Sequence, residues 1–77
     1  MLTFDEAKEI FETEYPNYSI ISALDVGDEF VMSAGDKESG EPLDISPFAI
    51  NKDNGKIRTF FPPANVEKLK DATTIEL

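Results

Sequence analysis

The chain has 77 residues, with 7 Lys or Arg against 16 Asp or Glu, no Cys, no His and no Trp, for a formal charge of −9. One small domain over residues 1–77 is the expectation, since no room remains for a second. A thiolate nucleophile, a Cys/His zinc site, an imidazole base and a disulfide framework are excluded by composition, and a broad basic surface for gripping phosphate does not fit this charge.

A chain this short buries roughly 60–65% of its unfolded surface, which gives a stability on the order of 5 kcal/mol. No stretch approaches ~18 consecutive apolar residues, so no membrane span is expected. The opening Met1-Leu2-Thr3-Phe4-Asp5-Glu6 carries acid where a signal peptide carries base, which gives the cytoplasm as the expected location. The charge is uneven. Residues 1–44 hold 12 acids and 2 bases, whereas residues 45–77 hold 4 acids and 5 bases. The acidic half is either a solvated surface, the blander reading, or a docking face for cationic partners.

Thr3-Phe4-Asp5-Glu6 has the form of a capping box. Phe4, Ala7, Phe11 and Tyr15 follow at helical spacing, with Ile10 beside them, and Pro16 stops the run. The pattern predicts a helix over residues 4–14, with Lys8 placed to meet Glu12. From Tyr18 to Val26 the period changes to two, with the more apolar face on the even positions. Gly27 punctuates a turn, and Phe30 to Ala34 forms a second strand in which Phe30, Met32 and Ala34 share a face.

Gly35 to Pro42 is a polar loop. A third strand is expected over about residues 44–52, with Pro47 demoting its first half. Asp53-Asn54-Gly55 predicts a tight hairpin, because Asn and Gly both tolerate positive φ. A fourth strand runs over about residues 56–61, with Ile57, Thr59 and Phe61 on one face and Phe60 on the other. Pro62-Pro63 ends the sheet, Asn65 can cap a short helix carrying Val66 and Leu69, and Thr73 to Leu77 either adds a short strand or frays. The predicted fold is α+β: an N-terminal helix packed on a four-stranded antiparallel sheet, with a short C-terminal helix.

No motif predicts catalysis, a metal site or a cofactor. An EF-hand requires an acid five positions before its glycine, and before Gly40 and Gly55 those positions hold Gly35 and Ile50. Asp25, Asp28 and Glu29 form an exposed acidic turn that suits adventitious cation contact. The carboxylates fall on predicted outer faces, not in a closed pocket of the kind acid–base catalysis needs. No Gly-x-Ser-x-Gly elbow or phosphate loop is present. Lys52, Lys56 and Arg58 make the one basic cluster, and salt bridging to the acidic half is favoured there over direct nucleic-acid binding.

Phe60-Phe61-Pro62-Pro63 puts two phenylalanines on opposite faces of a strand. Phe60 either packs under Val66 and Leu69, the favoured reading, or stays outside as an anchor for a partner. The candidate partner-binding residues are accordingly Phe60, Phe61, Pro62 and Pro63, together with the helix acids Glu9 and Glu12.

The segments Leu2 to Ala7, Tyr15-Pro16, Pro47 to Ile57 and Phe61-Pro62-Pro63 give the chain a resemblance to small bacterial and prophage-encoded proteins. The helix followed by strands that reach Lys52-Asp53-Asn54-Gly55-Lys56-Ile57 is also similar to PepSY-like domains and to small immunity-type domains. PepSY domains are usually exported or fused to a peptidase, a setting this acidic N-terminus does not match. The resemblance implies an α+β fold and a binding role, and it assigns no catalytic or binding residue. The expected function is a non-enzymatic, acidic protein-interaction module, phage-related, whose partner is another protein and neither nucleic acid nor membrane. An acidic DNA-mimic inhibitor of a nucleic-acid-binding protein, and a PepSY-like or immunity-type inhibitor, are the alternatives.

Overall fold

In the computed structural model, which describes residues 1–77, helix α1 spans Phe4–Glu14. Both halves of the capping box form. The Thr3 hydroxyl accepts from the Glu6 amide at 3.2 Å, and the Glu6 carboxylate accepts from the Thr3 amide at 3.0 Å. Strands β1 (Tyr18–Asp25), β2 (Glu29–Asp36), β3 (Phe48–Asn51) and β4 (Ile57–Thr59) follow. A 3-10 turn at Pro62–Asn65, helix α2 (Val66–Lys70) and strand β5 (Thr73–Ile75) complete the chain. The sheet is antiparallel, with strand order β4-β3-β2-β1-β5. It has five strands, not the four expected, because Thr73–Ile75 pairs with Ala23–Asp25. Neither helix is long and apolar enough to cross a membrane.

The sheet is covered on both faces. Ala7 and Phe11 of α1 bury against Ala23, Phe30, Met32, Ala34 and Ile50. Phe11 meets Phe48 edge-on at 5.6 Å, and Phe4 meets Phe30 in the same way at 5.6 Å. On the opposite face Val31, Ala49 and Phe60 form a smaller core, joined by Leu24, Val26 and Leu69. Phe60 is therefore core, with 0% exposure, and is not the outward anchor that the alternative reading places there. Its cover is Leu69 and not Val66, which is 54% exposed.

Strand β1 serves both layers because its alternation breaks. The register against β2 shifts between Ile20 and Ser22, so Ile21 is an extra residue. Tyr18, Ile20 and Ala23 consequently face α1, whereas Leu24 and Val26 join the opposite core. This corrects the expectation that the even positions form one continuous face. Gly35 accommodates the bulge: a Cβ there would lie 2.6 Å from Ile21 Cγ2 and 3.1 Å from the Glu41 carbonyl oxygen.

The Asn54-Gly55 turn is wider than predicted. Only Gly55 has positive φ, at 71°. The Asn51 carboxamide oxygen accepts from the amides of Asp53 and Asn54, and the Gly55 amide donates to the Asn51 carbonyl at 2.8 Å. Those bonds wind residues 52–54 into a helical turn, which a two-residue hairpin lacks. Strands β3 and β4 are also shorter than expected, with Pro47 just outside β3. Asn65 precedes α2 without capping it, since its side-chain amide donates to the Phe61 carbonyl instead.

The fit of Ile21 over Gly35 is testable. Gly35→Ala should destabilise the protein by about 1–3 kcal/mol in urea unfolding. Most of that loss should disappear in an Ile21→Ala background, because the two changes share one contact. Equal losses in both backgrounds would contradict the bulge geometry.

Candidate functional site

The charges divide into a paired set and an unpaired set. Lys52 Nζ meets Asp25 Oδ1 at 2.8 Å and lies 4.6 Å from the centre of the Phe30 ring. Lys68 Nζ bridges Asp28 at 3.0 Å and Glu29 at 2.7 Å, and Lys70 meets Glu67 at 3.3 Å. Arg58 grips Glu29 with two bonds, Nε to Oε2 at 2.8 Å and a terminal nitrogen to Oε1 at 2.7 Å. No ion pair involves Asp5, Glu6, Glu9, Glu12 or Glu14 of α1, and Lys8 does not bridge to Glu12. Of the basic cluster, Lys52 and Arg58 thus turn inward while Lys56 stays exposed and unpaired, and α1 keeps a net negative surface with five acids against its own Lys8.

Glu29 is the more buried of the two buried members of the paired set, at 4% exposure against 8% for Lys52. As the first residue of β2 it points to the α2 side of the sheet, beside Val31 and Ala49 and within reach of Arg58 on β4. The Arg58 hydrogen bonds, reinforced by Lys68, outweigh the cost of burial and hold its carboxyl down at about 2, from an ordinary 4.5. The same bonds raise Arg58 and Lys68 above their ordinary values. Asp25 is lowered by its hydrogen bond from Lys52, and Glu6 by the Thr3 amide.

A groove of about 420 Å³ runs along the flank of α1, with Leu2 and Ile10 as its apolar wall and Glu6, Glu9, Thr13 and Glu14 as its polar one. Ile10 and Glu14 also line a second hollow of about 350 Å³, closed by Tyr15, Gly55, Lys56 and Ile57. The two therefore adjoin at Ile10 and Glu14, and the second lies between α1 and the β3–β4 hairpin. Gly55 keeps this junction open: a Cβ there would stand 3.1 Å from Ile10 Cδ1 and 3.5 Å from Leu2 Cδ1. A third hollow, of about 450 Å³, lies on the other face of β4, among Glu29, Asn54, Lys56, Arg58 and Lys68.

The residues singled out from sequence are scattered by this geometry. Glu9 lines the α1 groove, and Glu12 is exposed on the same helix but outside it. Phe61 is 58% exposed, Pro62 is half-buried and Pro63 is exposed, all at the 3-10 turn on the α2 side. They form no common surface with the helix acids around either α1 hollow. Leu2, Ile10 and Ile57 carry no binding signal in the sequence, and Lys56, read there as part of a salt-bridging basic cluster, forms no ion pair. The helical period marks Ile10 only as a neighbour of the core stripe, and its meeting with Ile57 depends on the hairpin folding back. Comparison with family models, curated proteins and solved structures finds no match for the chain.

The Glu29 cluster yields a prediction with a defined sign. A carboxyl whose folded value lies below its unfolded one stabilises the protein fully above about pH 4.5, and that contribution is lost as pH falls toward about 2. Glu29→Gln should cost about 3 kcal/mol at neutral pH in urea unfolding, and the difference from the parent should shrink through that window. A variant as stable as the parent at neutral pH would contradict the pairing.

Proposed function

We propose that the chain is a non-enzymatic protein-interaction module that receives a cationic partner on α1. One observation carries this reading: α1 holds five acids without an ion-pair partner against its single Lys8, while Lys52, Arg58, Lys68 and Lys70 are engaged elsewhere and Lys56 alone of the second half's cations lies beside the helix. The groove beside those acids adds apolar contact from Leu2 and Ile10, so a partner gains burial as well as charge. The carboxyls whose titration is displaced, Glu6, Asp25, Glu29 and Asp36, all move downward, toward fixed charge and away from the range of a general acid.

Affinity capture from the native host tests this reading, with the parent chain and a Glu9→Gln/Glu12→Gln/Glu14→Gln variant compared at about 50 and about 500 mM salt. The reading predicts a partner that the parent retains at low salt, that high salt releases, and that the variant fails to hold. A partner retained equally by the variant and at high salt would place recognition elsewhere.

A further inference from the structure

Building on the reading of the chain as a protein-interaction module, we propose that the free edge of β4 is a strand-addition site. Its occupant is an extended segment of another protein that presents aliphatic and lysine or arginine side chains toward α1.

The backbone pairing identifies the open groups. Bonds from the Asn51 amide to the Lys56 carbonyl (3.0 Å) and from the Phe60 amide to the Pro47 carbonyl (2.8 Å) bracket β4. The antiparallel ladder then turns the N–H and C=O of Arg58 toward Ala49, and those of Ile57 and Thr59 outward. β4 ends the strand order, and no backbone group in the fold bonds to those two residues from outside. Two donors and two acceptors therefore stand in the spacing that an incoming strand matches.

The side-chain surroundings supply specificity. An added strand sends alternate side chains to opposite faces, and β4 has a hollow on each. Toward α1 lie Ile10, Tyr15 and Ile57 with Glu14 and Lys56, next to the groove that Glu6 and Glu9 line without any cation. Aliphatic side chains fit the first group, and a base fits the acids, which lack internal partners. On the other face Arg58 and Lys68 are already engaged by Glu29, so small neutral residues suit the intervening positions. The opposite edge of the sheet is a poorer template. Strand β5 ends it with three residues, none of which lines a hollow, and residues 18–22 of β1 lie beyond the reach of β5 but have their alternation broken by the Ile21 bulge.

The test uses a blocked nine-residue peptide in which threonine alternates with isoleucine, lysine and valine, titrated into the full isotope-labelled chain and followed by amide NMR. The proposal predicts saturable binding on the order of 100 μM or tighter, with the largest shifts at the Ile57 and Thr59 amides. A peptide with glutamate in place of lysine should lose most of that affinity. Thr59→Pro deletes one outward donor at an edge position that tolerates proline, and should weaken binding about tenfold with the remaining amide spectrum unchanged. Three outcomes overturn the proposal. The first is peptide shifts confined to α1 with the β4 edge unmoved, which leaves the interaction-module reading standing. The second is shifts at Ile57 and Thr59 on diluting the chain alone, which would make a second copy the occupant. The third is no shift at about 1 mM peptide, while salt-dependent capture through α1 continues to test the broader reading by itself.

Discussion

A carboxylate at 4% exposure cannot stand alone, and Glu29 shapes the C-terminal third of the molecule around that requirement. It sits at the head of β2, where a side chain directed toward Val31 and Ala49 would otherwise be desolvated without compensation. Arg58 answers from β4 with a two-bond grip, and Lys68 answers from α2. A strand of three residues and a helix of five have little stability of their own. Their attachment to one charge gives both a fixed position. Leu69 is then held over Phe60, and the Arg58 guanidinium lies 5.5 Å from the same ring.

The charge accounting on the rest of the surface follows from that arrangement. Lys52, Arg58 and Lys68 are engaged by the acidic turn at Asp25, Asp28 and Glu29 and Lys70 by Glu67, which leaves Lys56 as the one cation of residues 45–77 beside α1. Helix α1 meanwhile spends its apolar stripe on the sheet and turns its acids to solvent. The interaction surface and the internal clamp are two results of one distribution of charge. The short β4 links them, since one of its faces carries Arg58 in the clamp while Ile57 on the other lines the hollow beside α1.

Where structure depends on neighbours in the chain, it was legible in the sequence. The bounds of α1 follow from Thr3, Glu6 and Pro16, and the helix spans residues 4–14 as expected. The hairpin of β1 with β2 follows from Gly27, whose φ is 105°. What eluded local reading depends on distant partners. The Ile21 bulge needs Gly35 opposite it, and β5 is a strand only because Ala23–Asp25 leaves an edge for it. The Asn51 side chain converts a tight turn into a helical one, although Asn54-Gly55 carries the stronger short-range signal. For the site, the acidity of α1 and the inward role of Arg58 could be anticipated from charge alone. The selection of Glu29 as the buried acid could not, because it rests on the register that sets Ala49 between Val31 and Arg58.

The titration of the Glu29 carboxyl carbon, followed by NMR from neutral to strongly acidic pH, tests this account most directly. The Arg58 and Lys68 hydrogen bonds predict a midpoint of about 2, with the Arg58 Nε–H signal moving in the same step. A midpoint near 4.5, the ordinary value, would show a solvated, unpaired carboxylate and contradict the clamp on which β4 and α2 depend.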